Sequence, residues 1–255
     1  MKVELLGAYG GSTNTTNLTS FFVDDFLAID AGCLTQSLSL ERQFLISDVF
    51  VSHSHLDHTL SLPFLADNLF GETSEPLRVW ASREVLDALR KYMFNDVLWP
   101  DFSVLPSPDS PTITFSTLAA EQTLRIRHLN ITPIPVNHVV PCHGYLIEST
   151  LTDSSFLYTA DTCNSDRIWE LANAQANLKA IIVDCSFPNE FEDLAVLSGH
   201  MTAQLLKRDL AKLERDCAIY VYHIKPMYED IIKRELAALE RPRLSIAKQG
   251  ATLEL

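Results

Sequence analysis

Three histidines and an aspartate are crowded at the end of one apolar run, in the segment VFVSHSHLDHTLSLPFLADN at residues 49–68. The run has the composition of a buried strand, and His53 and His55 follow it two residues apart. Because alternate residues of an extended backbone face the same side, both imidazoles can bind one ion. Asp57 and His58 come where the chain turns toward a helical segment and can face a second ion. The spacing therefore favours a two-metal site over a polar surface loop.

Three further residues of metal-ligand type each follow a β-rich run elsewhere in the chain. His138 closes ITPIPVNH, Asp161 follows SFLYTA, and His223 closes AIYVYH. The ends of strands gather at one edge of a sheet and can converge on a site. We therefore expect these three side chains to lie near the histidine motif.

Short β-rich runs alternate with helical ones along the chain, without a repeat or a long linker. The segment SREVLDALRKYMF predicts a helix opening at Ser82, the Pro-rich segment 99–112 predicts a loop, and LRIRHLNITPIPV (124–136) predicts a strand. Each half carries strands before helices, as two sheets packed face to face with helices outside would require. We expect one α/β domain over residues 1–255.

Composition limits the partners and the location of the chain. Acidic residues outnumber basic ones by 33 to 20, for a net charge of −13, whereas proteins that bind long nucleic acids carry a basic excess. No apolar run reaches the roughly 18 residues of a membrane span, and Glu4 interrupts the start where a secretory signal is apolar. The five scattered cysteines are expected as reduced core residues. We expect a cytoplasmic protein without a membrane or a long nucleic acid as partner, and a homodimer is left open.

The motif HSHLDH, taken together with the three later residues, resembles the metallo-β-lactamase superfamily. The likeness implies a four-layer αββα sandwich with a dinuclear metal site on one edge. It assigns seven ligands in three roles: His53, His55 and His138 on one metal, Asp57, His58 and His223 on the other, and Asp161 bridging both. His55 stands where the diiron branch of the superfamily has a carboxylate, which favours two zinc ions as cofactors. Mn²⁺ and Fe²⁺ are the alternatives.

Three separate segments resemble the class II cyclic-nucleotide phosphodiesterases: HSHLDHTLSLPFL, DCSFPNEFEDLAVLSGHMT and YHIKP. The likeness implies that cyclic AMP or cyclic GMP is hydrolysed to a nucleoside 5′-monophosphate by a hydroxide held between two metals. A tRNA 3′-processing endonuclease is one alternative, although it would be expected to carry a basic docking surface. A thioesterase of the glyoxalase II type would not account for the second and third segments. A non-catalytic nucleotide-binding relative is disfavoured because seven unused ligands would each cost desolvation.

The departing 3′-oxygen needs a proton, and His200 in SGHMT is the unused imidazole best suited to donate it and to contact the substrate. Asp184, at the end of AIIVD, is expected to orient His200, and Asp57 is grouped with them as catalytic as well as a ligand. Lys225 is expected to contact a phosphate oxygen. Asp30, in LAIDAG, resembles a residue that supports the site from behind. Each of these residues has a structural alternative. His200 could serve near a helix N-terminus and Asp184 could be a structural carboxylate. Lys225 could be solvated, and Asp30 could belong to a turn.

Overall fold

The computed structural model describes residues 1–255 and contains sixteen β-strands and nine α-helices. The strands are β1 (Lys2–Gly7), β2 (Ser20–Val23), β3 (Leu27–Ile29), β4 (Asp48–Phe50), β5 (Leu77–Ala81), β6 (Pro106–Ser107), β7 (Ser110–Pro111), β8 (Ile113–Thr117), β9 (Leu124–Ile126), β10 (Leu129–Pro135), β11 (His143–Ser149), β12 (Ser154–Tyr158), β13 (Leu178–Asp184), β14 (Ala218–Tyr222), β15 (Leu244–Ile246) and β16 (Thr252–Glu254).

The helices connect these strands and cover the outer faces of the sheets. They are α1 (Leu34–Ser37), α2 (Leu40–Gln43), α3 (Leu56–Thr59), α4 (Leu62–Leu69), α5 (Arg83–Tyr92), α6 (Asp166–Ala174), α7 (Glu192–Leu197), α8 (Ala203–Leu210) and α9 (Glu229–Ala237). Two short 3₁₀ helices, Asn189–Phe191 and Pro226–Tyr228, precede α7 and α9. No helix combines the length and the apolar character that crossing a bilayer would take.

Two seven-stranded sheets form the middle of the molecule. The first has the order β16-β1-β2-β3-β4-β5-β8 and the second the order β15-β14-β13-β12-β11-β10-β9. One apolar cluster joins the facing sides of the sheets, and two others join each sheet to its own helices. The predicted four-layer αββα arrangement is therefore confirmed.

Neighbouring residues of one strand supply different layers of this core. In β2, Phe21 packs between the sheets, whereas Phe22 packs against the helices of the first sheet. Both are completely buried, because a strand in the middle of a sandwich has no solvent-facing side. The predicted start of α5 is confirmed: the Ser82 hydroxyl accepts a hydrogen bond from the Val85 backbone N–H at 3.3 Å.

The structure differs from two sequence predictions. Residues 124–136 form two strands, because Arg127 takes the left-handed conformation (φ 53°) and turns β9 back antiparallel to β10. The segment predicted as loop, 99–112, contains the two-residue strands β6 and β7, which pair with each other.

Strand direction brings the site together at one edge of the sandwich. In the first sheet β3 runs parallel to β4, and in the second β12, β13 and β14 run parallel to one another. The strand β10 is antiparallel to β11, which is antiparallel to β12, so β10 and β12 share a direction. The segments that follow these strands therefore leave the sheets on the same side.

Candidate metal centre

The three histidines assigned to one metal lie together. His53 and His55 lie three and five residues beyond β4, and His138 lies three residues beyond β10. The Nε2 of His53 is 3.1 Å from Nδ1 of His55, which is 3.4 Å from Nε2 of His138. Three imidazole nitrogens thus face one point, an arrangement suited to a single divalent ion.

The residues assigned to the other metal form an adjoining group. Potential ligand atoms of Asp57, His58, Asp161 and His223 all lie within 4.8 Å of one another. The helix α3 supplies the first two, and His223 comes immediately after β14. The Nε2 of His223 is 3.0 Å from Oδ2 of Asp57.

Asp161, which follows β12, lies between the two groups. Its Oδ2 is 3.6 Å from Nε2 of His53, 3.3 Å from Nε2 of His58 and 3.1 Å from Nε2 of His223. One carboxylate oxygen therefore faces imidazoles from both predicted sites, as a bridging ligand would.

The polar atoms at this point are buried and incompletely satisfied, which tests whether a metal fits. Asp161 Oδ2 and His58 Nε2 have no hydrogen-bond partner, although both residues are almost fully buried. Buried polar atoms are nearly always satisfied, so two such atoms facing each other indicate a missing partner. Imidazole nitrogens and carboxylate oxygens are the donors that divalent transition metals take, and the residues fit two such ions.

Electrostatics keep the first group in the form a metal requires. Burial lowers the pKa of His53 well below its ordinary value, and the neighbouring imidazoles lower it further. Burial also lowers the pKa values of His55 and His138. Neutral imidazoles keep a lone pair available for coordination.

The second group is held in place by opposite charges. Burial opposes ionisation of Asp57 and Asp161, but His223 and His58 outweigh it and hold the pKa values of both carboxyl groups below their usual range. Burial would likewise lower the pKa of His58, but Asp161 and Asp30 raise it well above the ordinary value. The two carboxylates are therefore ionised at neutral pH.

Asp30 lies behind the ligands that follow β4 of the first sheet, which form the first half of the site. Its Oδ1 accepts the Ser52 backbone N–H at 2.7 Å, and its Oδ2 accepts His58 Nδ1 at 2.8 Å and the Ser52 hydroxyl at 2.9 Å. Tyr158 donates a fourth hydrogen bond to Oδ2 at 2.7 Å. The bond from His58 Nδ1 leaves Nε2 of that ring toward the ligand cluster.

Asp184 lies behind the second half of the site, which is formed by the ligands that follow strands of the second sheet: His138, Asp161 and His223. Its Oδ2 accepts a hydrogen bond from His200 Nδ1 at 3.0 Å, and its Oδ1 accepts the Ser186 hydroxyl at 2.6 Å. Burial would lower the pKa of His200, but the Asp184 carboxylate outweighs it and raises that pKa. The His200 ring stacks on that of His223 at 5.1 Å, and a His200 nitrogen lies within 4.8 Å of ligand atoms of His138 and Asp161. The structure thus brings the predicted acid and its orienting carboxylate to the edge of the ligand cluster.

A tyrosine holds the other oxygen of the central carboxylate. The Tyr222 hydroxyl donates to Asp161 Oδ1 at 2.8 Å. Because Oδ1 is satisfied in this way, Oδ2 alone is left facing the imidazoles. Tyr222 therefore selects which oxygen of Asp161 is presented to the cluster.

The backbone is left-handed at three places around the site. Asp30 (φ 56°), Ala160 (φ 53°) and His223 (φ 65°) all adopt this conformation, which residues other than glycine seldom take. Such strain persists only where the surroundings impose it, and it concentrates at functional sites. Each of these residues follows a strand closely and turns the chain across the edge of the sheets.

Lys225, predicted to contact substrate, lies two residues past His223 beside the second half. Its Nζ lies 5.3 Å from the centre of the Phe187 ring and 3.5 Å from the Gly10 carbonyl oxygen. The Phe187 ring is itself 5.9 Å from that of His200. The ammonium group is thus held near the predicted acid and remains partly exposed.

Sequence reasoning missed the residues that orient the ligands. Ser52, Ser186, Tyr158 and Tyr222 are absent from the predicted set, yet each hydrogen-bonds with a site residue. Ser186 had a usable signal, because it stands two residues after Asp184 just as His55 stands two residues after His53. The tyrosines gave none, since each reads as an apolar residue inside a strand.

Comparison of the fold with solved structures defines the class of protein. The structure of unliganded yeast PDE1 superposes with a TM-score of 0.83 at 21% identity, covering 100% of this chain and 99% of that one. The metallo-β-lactamase fold protein YhfI from Bacillus subtilis gives a TM-score of 0.80 at 19% identity, covering 99% of both chains. The chain therefore has the metallo-β-lactamase fold.

Sequence comparison narrows this class to one family. The family of class-II cAMP phosphodiesterases matches residues 34–229, and the chain belongs to it. The probable 3′,5′-cyclic-nucleotide phosphodiesterase of Yersinia pestis is 28% identical over 295 residues, covering 94% of this chain and 83% of that protein. The matched range contains all seven predicted metal ligands.

Proposed function

We propose that the chain is a metal-dependent phosphodiesterase that hydrolyses 3′,5′-cyclic nucleotides, cyclic AMP or cyclic GMP, to nucleoside 5′-monophosphates. The observation that carries the proposal is the pair of adjoining ligand groups that share Asp161, in a member of the class-II cAMP phosphodiesterase family. Because the ligands come from both sheets, residues 1–255 act as one metallo-β-lactamase-like domain. We also propose that the protein is cytoplasmic and that a small cyclic nucleotide is its only substrate partner.

The seven predicted ligands would hold two divalent ions, and zinc suits a set dominated by imidazoles. His53, His55 and His138 would hold one, Asp57, His58 and His223 the other, and Asp161 both. When bound, such ions lower the pKa of water and neutralise the charge of a phosphodiester.

The chain's own residues handle the departing oxygen. Water attacks phosphorus opposite the 3′-oxygen and releases one of its protons to solvent, the P–O3′ bond breaks, and the 3′-oxygen leaves with a proton that the acid later regains from solvent. His200 supplies that proton from Nε2, because Nδ1 is committed to Asp184 and Nε2 makes no hydrogen bond within the chain. Asp184 holds the ring in this orientation and stabilises its charged form. The product keeps its phosphate on the 5′-oxygen.

Lys225 contributes a positive charge at the rim. The face of Phe187 holds the ammonium group through a cation–π contact, and the Gly10 carbonyl lies on another side. A phosphate oxygen at the centre is the anionic group this charge is placed to meet.

A substrate panel tests the proposed function. The purified protein, loaded with zinc or with manganese, is assayed on cyclic AMP, cyclic GMP, a 2′,3′-cyclic nucleotide, a bis-aryl phosphodiester, a thioester and precursor tRNA. We expect turnover of a 3′,5′-cyclic nucleotide that a chelator abolishes, together with about two metal ions per chain, the stoichiometry of a dinuclear site. Turnover of precursor tRNA or of the thioester, with none of cyclic AMP or cyclic GMP, would contradict the proposal.

A further inference from the structure

Ser186 lies between a predicted metal ligand and the predicted acid. Its side chain is completely buried, two residues past Asp184. The hydroxyl oxygen is 2.6 Å from Asp184 Oδ1, 2.8 Å from His223 Nδ1 and 3.2 Å from His200 Nδ1. One hydroxyl therefore touches three residues of the site.

The direction of these hydrogen bonds follows from the protons available. A serine hydroxyl has one proton to donate, and an ionised carboxylate can only accept. Asp184 Oδ1 and the Ser186 hydroxyl oxygen are 2.6 Å apart. Their lone pairs would repel each other at this distance unless the Ser186 proton lay between them. The oxygen must then accept from His223, so Nδ1 of His223 carries a proton.

This assignment fixes the chemistry of the opposite ring nitrogen. With its proton on Nδ1, neutral His223 has its lone pair on Nε2. That nitrogen lies 3.1 Å from Asp161 Oδ2 and 3.0 Å from Asp57 Oδ2, within the ligand group. The Ser186 hydroxyl thus prepares His223 for coordination.

The same carboxylate serves the other imidazole. Asp184 Oδ2 accepts from His200 Nδ1 at 3.0 Å, whereas Asp184 Oδ1 lies 3.8 Å from His223 Nδ1, too far for a hydrogen bond. Asp184 therefore orients His200 directly and reaches His223 only through Ser186.

We infer that Ser186 is a positioning residue that ties the metal ligand His223 to the acid His200 through Asp184. The hydroxyl orients the metal ligand His223 directly, and it affects the acid through Asp184, whose Oδ1 it holds in place. The inference rests on the proposed function of the site for His200, but its part concerning His223 can be read without any substrate.

The first measurement is zinc binding to the metal-free protein by competition with a chelating dye. Ser186→Ala should weaken zinc binding about 10- to 100-fold, the usual effect of losing a residue that orients a ligand. Ser155→Ala is the matched control, because Ser155, in β12, is equally buried but donates to Asn177 Oδ1 at 3.0 Å, away from the site. Ser186→Thr keeps the hydroxyl and should restore much of the affinity. Equal zinc affinity for Ser186→Ala and Ser155→Ala would overturn the link to His223.

The second measurement separates the acid from the metal. At saturating zinc, Ser186→Ala should slow hydrolysis of cyclic AMP more than hydrolysis of a nitrophenyl phosphodiester, whose leaving group needs little protonation. Equal slowing of the two substrates would overturn the link to His200. If the unsubstituted protein hydrolyses no cyclic nucleotide, the proposed function fails, while the zinc titration still decides the role toward His223.

The third measurement needs no substitution and therefore does not depend on a variant that folds. In ¹⁵N-labelled, zinc-loaded protein, the ring-nitrogen resonances of His223 should show that Nδ1 carries a proton, the one that it donates to the Ser186 hydroxyl. An unprotonated Nδ1 on His223 would overturn the inference.

Discussion

Asp30 and Asp184 support the two halves of the site in related ways, but they accept different numbers of hydrogen bonds. Both are completely buried beside a strand end, and each accepts a serine hydroxyl and an imidazole. Asp30, however, accepts four hydrogen bonds from protein groups, including that of Tyr158, whereas Asp184 accepts two side-chain hydrogen bonds. Oδ2 of Asp30 alone accepts three of its hydrogen bonds, whereas each oxygen of Asp184 accepts one.

The difference shows how one arrangement, a buried carboxylate beside a serine and two imidazoles, can serve two roles. The imidazoles beside Asp30 and Ser52 are both predicted ligands, His53 and His58. Beside Asp184, one imidazole is the predicted ligand His223, and the other, His200, belongs to neither of the two predicted ligand sets. Asp30 therefore supports predicted ligands alone, whereas Asp184 also supports the predicted acid.

Asp161 lies between the two predicted metal groups, so its loss should have the largest effect. We expect Asp161→Ala to fall to the activity of the metal-free protein and to lose bound metal, because one carboxylate oxygen faces both ligand groups. Metal content by elemental analysis and turnover of cyclic AMP check this expectation. Unchanged metal content and rate would remove Asp161 from the site.

His200→Ala should remove the predicted acid of the second half without loss of a metal from either half. The rate on cyclic AMP should fall by about 10²–10⁴-fold, the usual contribution of a general acid, while both metals remain bound. Hydrolysis of a nitrophenyl phosphodiester should fall much less. The matched control is His128→Ala, since His128 also pairs with a carboxylate, Asp24, at 2.8 Å but lies outside the site.

The outcome of that substitution also decides the role of His200. Loss of a metal, or equal slowing of both substrates, would make His200 a ligand or a structural residue. Asp184→Asn should act in the same direction as His200→Ala but more mildly, because it removes charge support and leaves the proton donor in place.

Asp30→Asn should show the opposite selectivity. We expect zinc affinity to fall about 10- to 100-fold, and the rates on cyclic AMP and on the nitrophenyl ester to fall together, because Asp30 orients a ligand and contacts no predicted acid. A selective loss on cyclic AMP would erase the distinction between the two halves.

Tyr222→Phe should give the smallest effect, because it removes one neutral hydrogen bond from Asp161 Oδ1. We expect zinc affinity to fall about tenfold, at the low end for residues that orient ligands. Tyr145→Phe is the control, since the equally buried Tyr145 donates to the Val51 carbonyl at 2.8 Å and to no predicted ligand. Equal zinc affinity in the two variants would show that Oδ1 needs no donor.

The ligand-type residues could be predicted because their identity and spacing are visible in the sequence. His53 and His55 are two apart after an apolar run, and the structure places their ring nitrogens 3.1 Å apart. The αββα layers could be predicted as well, since strand-like and helix-like runs differ in period. The roles of the seven ligands stay predictions until metal binding is measured.

The rest depended on contacts between distant parts of the chain. Tyr158 reaches Asp30 across 128 positions, and Tyr222 reaches Asp161 across 61. Inside a strand, each tyrosine has the pattern of an apolar core residue, so only the packing of the two sheets reveals where its hydroxyl points. The turn at Arg127 was missed for a simpler reason, because an arginine gives no signal for a left-handed backbone.

The origin of the ligands in both sheets has a consequence for how the chain folds. His53 to His58 follow a strand of the first sheet, whereas His138, Asp161 and His223 follow strands of the second. The cluster therefore comes into being only when the two sheets dock, after most of the chain has been synthesised. Metal uptake should be a late event of folding. A bound ion would link the two sheets and slow their separation.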